Sequence, residues 1–252
     1  MAGTLSTPFS SRVAAALPAR AVAAAVRVAY PRVEPELARL ASYAPRGGTA
    51  VDVGAWYGPW TRGLRRIADR VVAVEPATEL AGCLAAAYPD VRVVEAVASD
   101  HSGTAELYLP PGGPMVGTSS VEAGTGRPVT VARVTLDELD LRDVRFIKLD
   151  VEGHELPALR GAERTVRRDR PLLLVELEER IQPVRPVLDL LAGWVYRPYV
   201  MPDDRWLPLS GFDLAGHQRA ALARVEQSFA RRVVRPEPRY VNMVLFRPER
   251  DR

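Results

Sequence analysis

Short apolar runs and longer amphipathic segments alternate along most of this chain. The short runs are typical of strands that are buried on both faces, and the longer segments have helical spacing. From residue 49 the pattern predicts strands at 49–54, 71–75 and 91–97, with helices at 59–68 and 78–88. Because βαβ crossovers are right-handed, this order predicts half of a parallel sheet covered by helices.

The pattern changes after residue 102 and then returns to alternating strands and helices. Two strand-like runs, 104–109 and 129–134, flank a long glycine-rich loop, and a short helical turn follows at 136–139. The later predicted elements are strands at 144–149, 171–177, 194–199, 206–209 and 240–246 and helices at 155–168, 184–192 and 215–230. Residues 46–252 are therefore predicted to form one α/β domain.

Residues 1–45 are predicted to form a helical extension before this domain. Pro31 and Pro35 divide the segment into two helices. The extension either packs plainly on the domain, covers a ligand pocket or forms a dimer surface, and the last alternative leaves a homo-oligomer open. The apolar run 21–26 is too short, and too closely flanked by arginines, for a membrane span or a secretion signal.

Composition adds little to this picture. The 34 basic and 31 acidic residues leave a formal charge of +3, which is too small and too scattered to indicate a nucleic-acid partner. Lys148 is the only lysine, so the basic character comes from arginine. Cys83 is the only cysteine, which excludes an internal disulfide and a cysteine-based zinc site. We therefore expect a cytoplasmic protein.

The loop after the first strand has the composition of a nucleotide cradle. Asp52, Gly54 and Gly58 follow the spacing Asp-x-Gly-x-x-x-Gly, where glycine allows a sharp turn and the close approach of a ligand. Pro59 suits the first turn of the next helix. The spacing lacks the G-x-G-x-x-G fingerprint, and the acid would repel a pyrophosphate, so a nicotinamide oxidoreductase is disfavoured.

The second strand ends in an acid that suits a ribose. Glu75, followed by Pro76, lies where a carboxylate accepts hydrogen bonds from two neighbouring hydroxyls. A ribose without a diphosphate indicates S-adenosylmethionine. Ala96 and Val97, at the end of the third strand, would bound the adenine ring. A generic αβ unit with a solvated Glu75 is the alternative.

The fourth strand ends in a dense group of ionisable residues. Asp150, Glu152, His154 and Glu155 fall within six positions. Ligands of open parallel sheets bind at the carboxyl ends of the strands, and active sites are rich in such groups. This segment is therefore the predicted catalytic region.

These motifs together resemble those of the FkbM-type S-adenosylmethionine-dependent methyltransferases. The similarity covers roughly residues 49–246, and the IK-x-DVEGHE run is its most specific part. The matching segments are DVGAWYG (52–58), VEP (74–76), SS (119–120), TLDEL (135–139), IKLDVEGHELPALRGA (147–162), RP (170–171), Glu176 and Asn242. Trp56 stands where the family usually has asparagine, which reshapes the methionine end of the pocket or its acceptor side.

The resemblance implies a class I methyltransferase fold, with a doubly wound, mostly parallel, seven-stranded sheet whose last strand is antiparallel. It also implies methyl transfer from S-adenosylmethionine to a hydroxyl, which leaves S-adenosylhomocysteine. The expected acceptor is a sugar, a polyketide or a related natural product or glycan. Transfer to a carboxylate or an amine, and a non-catalytic binding protein that retains the fold, stay open as alternatives.

Under this resemblance the cofactor contacts come from the loop and strand ends described above. The predicted set is Asp52, Gly54, Ala55, Trp56, Gly58, Glu75, Pro76, Ala96, Val97 and Asp150. Asp52 is expected beside the methionine amino group. Ser119 and Ser120 of the glycine-rich loop, together with Trp56, are expected on the acceptor side. A plain surface loop is the alternative for the two serines.

Methyl transfer is an in-line displacement, so the protein must align the acceptor oxygen and take up its proton. His154 is the first candidate base, because its pKa can lie near neutrality and Asp150 lies one turn away to orient it. Asp150 is the alternative base, and Glu152 either joins it or pairs with an arginine. A rival mechanism places Mg²⁺ on Asp150, Glu176 and Glu178, where it would lower the pKa of the acceptor hydroxyl.

Overall fold

The computed structural model of this chain describes residues 19–109, 127–225 and 239–249. Ser119 and Ser120, the two serines predicted on the acceptor side, lie outside the described residues. So do the first part of the N-terminal extension and the end of the helix predicted at 215–230. Within the described ranges, no helix combines the length and the apolarity that crossing a bilayer requires.

The described part of the chain contains eleven strands, which divide into two sheets. In chain order they are β1 (Thr49–Val53), β2 (Arg70–Val74), β3 (Arg92–Val94), β4 (Val97–Ala98), β5 (Gly103–Leu109), β6 (Arg127–Val134), β7 (Val144–Leu149), β8 (Leu172–Glu176), β9 (Tyr196–Val200), β10 (Leu207–Pro208) and β11 (Met243–Pro248). The central sheet has the order β10-β9-β11-β8-β7-β1-β2-β3, and the small sheet has the order β4-β6-β5.

The central sheet confirms the predicted class I methyltransferase fold. Strands β3, β2, β1, β7 and β8 are parallel neighbours, and β11 runs antiparallel between β8 and β9. The predicted count of seven strands was wrong, because β10 adds an eighth strand on the edge beside β9. This strand has only two residues, and its Pro208 has no N–H to extend the pairing, so it ends the sheet.

The strand predicted at 91–97 is in fact two strands in different sheets. Residues 92–94 form β3 of the central sheet, whereas β4 pairs in parallel with β6. The amide of Ala96 donates to the carbonyl of Val94 at 3.1 Å, and this tight turn directs the chain out of the first sheet. A continuous apolar run does not reveal such a turn.

Nine α-helices are described, and most lie where they are predicted. They are α1 (Ala19–Ala29), α2 (Pro35–Ala38), α3 (Leu40–Tyr43), α4 (Pro59–Leu64), α5 (Thr78–Ala87), α6 (Glu155–Arg160), α7 (Glu163–Asp169), α8 (Arg185–Gly193) and α9 (Leu214–Val225). The helix predicted at 155–168 breaks between α6 and α7. Gly161 lies at this break, against the backbone of Ser99.

The alternation of side chains along the buried strands divides the core into two layers. Val51 and Val53 of β1 face one layer, and Ala50 faces the other. The second layer includes Leu37 and Leu40, so α2 and α3 of the N-terminal extension share the core of the sheet domain. Helix α1 packs Ala23 and Val26 against Ala77, Leu80 and Tyr57, the last of which lies in the loop between β1 and α4.

We expect Gly161→Ala to lower the free energy of unfolding by about 1–3 kcal/mol or more, because overpacking a tight contact forces the backbone to move. A Cβ atom there would lie 1.8 Å from the carbonyl oxygen of Ser99. The matched control is Gly82→Ala in α5, where a Cβ meets nothing within 4 Å. That variant should gain about 0.5–1 kcal/mol from helix propensity. Urea unfolding of both proteins measures the difference, and equal stabilities would contradict the packing argument.

Candidate active site

The loop after β1 is held in a shape that only glycine permits at two positions. Gly54 has φ +70°, and a Cβ there would lie 1.7 Å from the carbonyl oxygen of Asp150. Gly58 has φ +81°, and a Cβ would lie 2.6 Å from a methyl group of Leu84. Between them, Trp56 adopts φ +49° although it has a side chain. The predicted glycine cradle is therefore formed, with a strained tryptophan in its middle.

Glu75 ties this loop to the end of β2. Its Oε2 accepts the Trp56 amide at 2.8 Å, and its Oε1 accepts the Ala77 amide at 3.0 Å. Burial raises the pKa of Glu75 to about 7, and the two amide hydrogen bonds oppose that rise. Each of its oxygens can accept a further hydrogen bond, so binding to a ribose is compatible with these contacts. The role of Glu75 as the ribose ligand stays a prediction.

A buried ammonium group lies beneath the same loop. Lys148 is 2% exposed, its Nζ lies 3.3 Å from Asp150 Oδ2 and 3.7 Å from Asp52 Oδ1, and it donates to the Gly54 carbonyl at 2.8 Å. Burial acts to lower the pKa of Lys148, but the charges of Asp150 and Asp52 outweigh it and raise the pKa. The ammonium therefore stays charged and connects β1, β7 and the loop.

Asp52 is fully buried and bonded within the protein. Its Oδ2 accepts the Thr61 hydroxyl at 2.5 Å, while Oδ1 faces Lys148. The predicted contact between Asp52 and the methionine amino group stays a prediction. Sequence reasoning gave Lys148 no role, although one signal was available, because the only lysine of the chain directly precedes the predicted catalytic segment in a buried strand.

Three carboxyl groups meet above the ends of β7 and β8. Oxygen atoms of Asp150, Glu152 and Glu176 all lie within 4.8 Å of one another, and each side chain is partly exposed. Burial alone would raise the pKa of Asp150, but Lys148 and a hydrogen bond with Glu176 lower it. Burial and the Asp150 charge hold the pKa of Glu176 well above its usual range. Asp150 is therefore ionised and accepts a hydrogen bond from protonated Glu176.

Glu152 lies in the turn that follows β7 and has unusual backbone and acid properties. It adopts φ +51°, a conformation that few residues with side chains take. Its pKa is raised to about 8, first by burial and then by the charges of Asp150 and Glu178. The turn is held by Glu155, whose Oε1 accepts the amides of Val151 and Gly153, both at 3.2 Å.

The prediction of Glu178 as a metal ligand beside Asp150 and Glu176 was wrong. Among the described residues, the acidic group with metal-ligand spacing contains Glu152 and not Glu178. Glu178 pairs instead with Arg180 and accepts hydrogen bonds from Tyr240 and Asn242, both at 3.2 Å. These three donors occupy the oxygens of Glu178, which lies beside the cluster of Asp150, Glu152 and Glu176 without belonging to it. Asn242 also donates to Glu176, which links the last strand to the site.

His154 is buried at the start of α6, and its Nε2 lies 2.9 Å from the Ser99 hydroxyl oxygen. The structure thus brings the imidazole to the residue that follows β4. Its assignment as the base stays a prediction. Ala55, Ala96 and Val97 are buried apolar residues, and their predicted contacts with the cofactor, like that of the partly exposed Pro76, also stay predictions.

Two residues of the N-terminal extension reach the site, and sequence reasoning missed both. Tyr30 packs on Trp56 with ring centres 5.7 Å apart, and Glu34 accepts the indole N–H of Trp60 at 2.6 Å. Burial and then the Asp150 charge raise the pKa of Glu34 to about 7. No motif marks these positions; the only hint was the alternative that the extension covers a pocket.

The sequence matches a known protein family. The model of the methyltransferase FkbM domain family matches residues 52–198, which is more than half of the chain. That range contains the glycine loop and the carboxyl groups of Asp150, Glu152 and Glu176. No curated protein matches the sequence significantly.

Solved structures of methyltransferases are similar in outline. The FkbM methyltransferase of Methylobacillus flagellatus KT has 20% identity and a TM-score of 0.47, and the alignment covers 66% of this chain and 44% of that one. The precorrin-6y C5,15-methyltransferase of Geobacter metallireducens GS-15 has 10% identity and a TM-score of 0.46, with 92% and 87% coverage. This chain thus spans less than half the length of the first protein, and neither likeness bears on the acceptor.

The raised pKa values make stability depend on pH in a defined direction. The pKa of Glu152 in the folded protein, about 8, exceeds the value of about 4.5 for an unperturbed glutamate. The folded state therefore binds the proton of Glu152 more tightly than the unfolded state does. The stability that this proton contributes is present below about pH 4.5 and is lost as pH rises through about 8. Glu152→Gln should stabilise the protein more at pH 8.5 than at pH 5, as measured by urea unfolding. The control is Glu163→Gln on exposed α7, and a pH-independent difference for Glu152→Gln would contradict the assignment.

Proposed function

This chain belongs to the FkbM methyltransferase family, and we propose that it transfers the methyl group of S-adenosylmethionine to a hydroxyl group. The acceptor class that we propose is a sugar, a polyketide or a related natural product or glycan. The observation that carries the proposal is the cluster of Asp150, Glu152 and Glu176 at the strand ends beside the glycine cradle. Carboxyl oxygens are good partners for the hydroxyl groups of such acceptors.

The residues around the cradle fit the proposed cofactor. Gly54 and Gly58 leave the loop backbone open to close approach, and Glu75 fixes the loop from the ribose side. The indole Nε1 of Trp56 is buried and has no hydrogen-bond partner among the described residues. A buried donor without a partner costs free energy, so a ligand oxygen is a reasonable partner for it. When bound, S-adenosylmethionine supplies the electrophilic methyl group.

We assign the acceptor hydroxyl to the three carboxyl groups. Ionised Asp150 accepts a hydrogen bond from an acceptor hydroxyl, and Glu176, whose proton is already donated to Asp150, holds that carboxylate in place. Glu152, with a pKa of about 8, takes up the proton of the acceptor hydroxyl. The oxygen of that hydroxyl would at the same time form the bond to the methyl carbon. A base with a pKa near the working pH is the most effective proton acceptor. With S-adenosylmethionine bound, the electron pair of the broken carbon–sulfur bond would stay on sulfur, so no residue of the chain would have to accept it.

The aromatic residues beside this cluster suit a covering role. Tyr30, Trp56 and Tyr57 pack in a row, with ring centres 5.7 Å and 4.8 Å apart along it. Burial and then the charges of Glu34 and Asp150 raise the pKa of Tyr30, which supports a position of this row near the carboxyl groups. We propose that it excludes water from the reacting atoms and selects among acceptors, because a dry site strengthens each charge interaction.

A mass-spectrometric screen across pooled glycosides and polyketide alcohols, with carboxylates and amines in the same pool, identifies the acceptor class. Calorimetry with S-adenosylhomocysteine tests the cofactor separately. We expect binding that Glu75→Ala weakens. Absence of binding would remove the methyltransferase proposal, and a methylated amine or acid would correct the acceptor class only.

Kinetics with the acceptor found distinguish the two candidate bases. Glu152→Gln should lower kcat by about 10²- to 10⁴-fold, the usual worth of a positioned base, with little change in S-adenosylhomocysteine affinity. In the wild type, kcat should rise with pH through about 8, because ionised Glu152 is the active form. His154→Gln should behave like Ser99→Ala, which removes only the hydrogen-bond partner. If His154→Gln alone loses turnover while Glu152→Gln keeps it, His154 is the base.

A metal-assisted reaction is the second candidate, since the same three carboxyl groups have the spacing of a Mg²⁺ site. Lys148 and Asn242 already satisfy part of the charge and hydrogen bonding of Asp150 and Glu176, which favours the metal-free route. We therefore expect turnover to survive EDTA. Loss with EDTA, rescue by Mg²⁺ and weaker Mg²⁺ activation in Glu152→Gln than in Glu178→Gln would establish the metal route.

A further inference from the structure

A pocket that includes none of the residues of the carboxyl cluster is lined by four arginines. Arg27 comes from α1, and Arg62, Arg65 and Arg66 come from α4 and the turn that follows it. The cavity measures about 380 Å³, which is within the size range of small-molecule sites. Neither the sequence motifs nor the proposed methyl transfer uses these residues.

The arginines are held in place by other groups of the pocket. The guanidinium carbons of Arg27 and Arg65 each lie 4.9 Å from the centre of the Tyr88 ring. Arg65 also makes two hydrogen bonds to Asp90, at 2.7 and 2.8 Å. Arg62 donates to the Arg27 carbonyl at 3.0 Å. Stacking and hydrogen bonding therefore fix the positions of three guanidinium groups before any ligand arrives.

The positive charge of this pocket is not balanced within the described part of the chain. Asp90 is the one carboxylate there that forms an ion pair with any of the four arginines. Guanidinium groups keep their charge at all ordinary pH values, so their mutual repulsion cannot be relieved by proton loss. An anion that accepts several hydrogen bonds at once relieves it, and arginine clusters of this kind suit phosphate groups.

We propose that this pocket binds a phosphate monoester. A phosphate group offers several oxygens to donors that converge from different directions, whereas a carboxylate offers two in one plane. Ala24 and Val28 of α1 form an apolar part of the wall, and Val28 is 60% exposed. This wall gives the carbon skeleton of an organic phosphate a surface to cover. The ester is either a soluble metabolite or a lipid headgroup.

The pocket is connected through two carbonyl groups to the loop between β1 and α4, which holds Gly54 and Gly58. Arg27 Nε donates to the Tyr57 carbonyl at 2.6 Å, and the Tyr88 hydroxyl donates to the Gly58 carbonyl at 3.4 Å. A phosphate group bonded to Arg27 further limits the motion of its guanidinium group, and with it the motion of the Tyr57 carbonyl that this group holds. Phosphate binding and cofactor binding should strengthen each other by the same factor. This coupling rests on the proposed function, but the phosphate site itself does not.

Calorimetry at constant ionic strength tests the site with inorganic phosphate and glucose 6-phosphate, and flotation tests it with vesicles of phosphatidylcholine with and without phosphatidic acid. We expect binding of one phosphate ester, weakened about tenfold or more in Arg62→Gln and Arg66→Gln, since one charge-assisted hydrogen bond is worth about that factor. Arg185→Gln, an exposed arginine on α8, is the matched control. The ester that binds identifies the source.

Two results would overturn the phosphate site. One is the absence of binding to every probe, and the other is equal weakening in all three variants, which indicates unspecific charge attraction. Circular dichroism and the unfolding midpoint check that each variant is folded. S-adenosylhomocysteine affinity is then measured with and without the bound phosphate ester. Phosphate binding without any change in that affinity keeps the site and removes only the coupling to the loop.

Discussion

The edge of the sheet that carries the candidate site depends on the buried ammonium group of Lys148. Moving this charge out of water is costly, and the carboxylates of Asp52 and Asp150 compensate for that cost at 3.7 and 3.3 Å. Losing one member of a buried pair costs about 3–5 kcal/mol, so the three charges persist only together. Because the same ammonium also holds the Gly54 carbonyl, the charge balance and the loop conformation are fixed by one group.

This charge arrangement gives the neighbouring carboxyl groups different pKa values. Lys148 keeps Asp150 ionised, and the Asp150 charge then helps to keep Glu176 protonated and Glu152 with a pKa near 8. Three chemically similar side chains thus carry different protonation states within 4.8 Å. Such differences are what acid–base chemistry at neutral pH requires, and here they follow from the position of one cation.

The sequence predicts the central fold and the loop well, because both depend on local rules. Short apolar runs of buried strands, glycines that need a positive φ and acids at strand ends can all be recognised along the chain. Glu152 and Glu178 show the limit, because side chains beyond the last residue of a strand no longer alternate, and donors such as Arg180 decide their direction. Tyr30 and Glu34 could not be found either, since only tertiary packing brings them to residues more than a hundred positions away.

The family match ends well inside the site that the fold assembles. It covers residues 52–198, yet Tyr30 and Glu34 precede that range and Asn242 follows it. The matched segment holds the loop after β1 and the carboxyl groups of Asp150, Glu152 and Glu176, whereas the flanking segments supply part of the wall around them. The segment that defines the family is therefore shorter than the set of residues that surrounds the loop and the carboxyl groups in this chain, and a protein cut to the matched range would lack part of that wall.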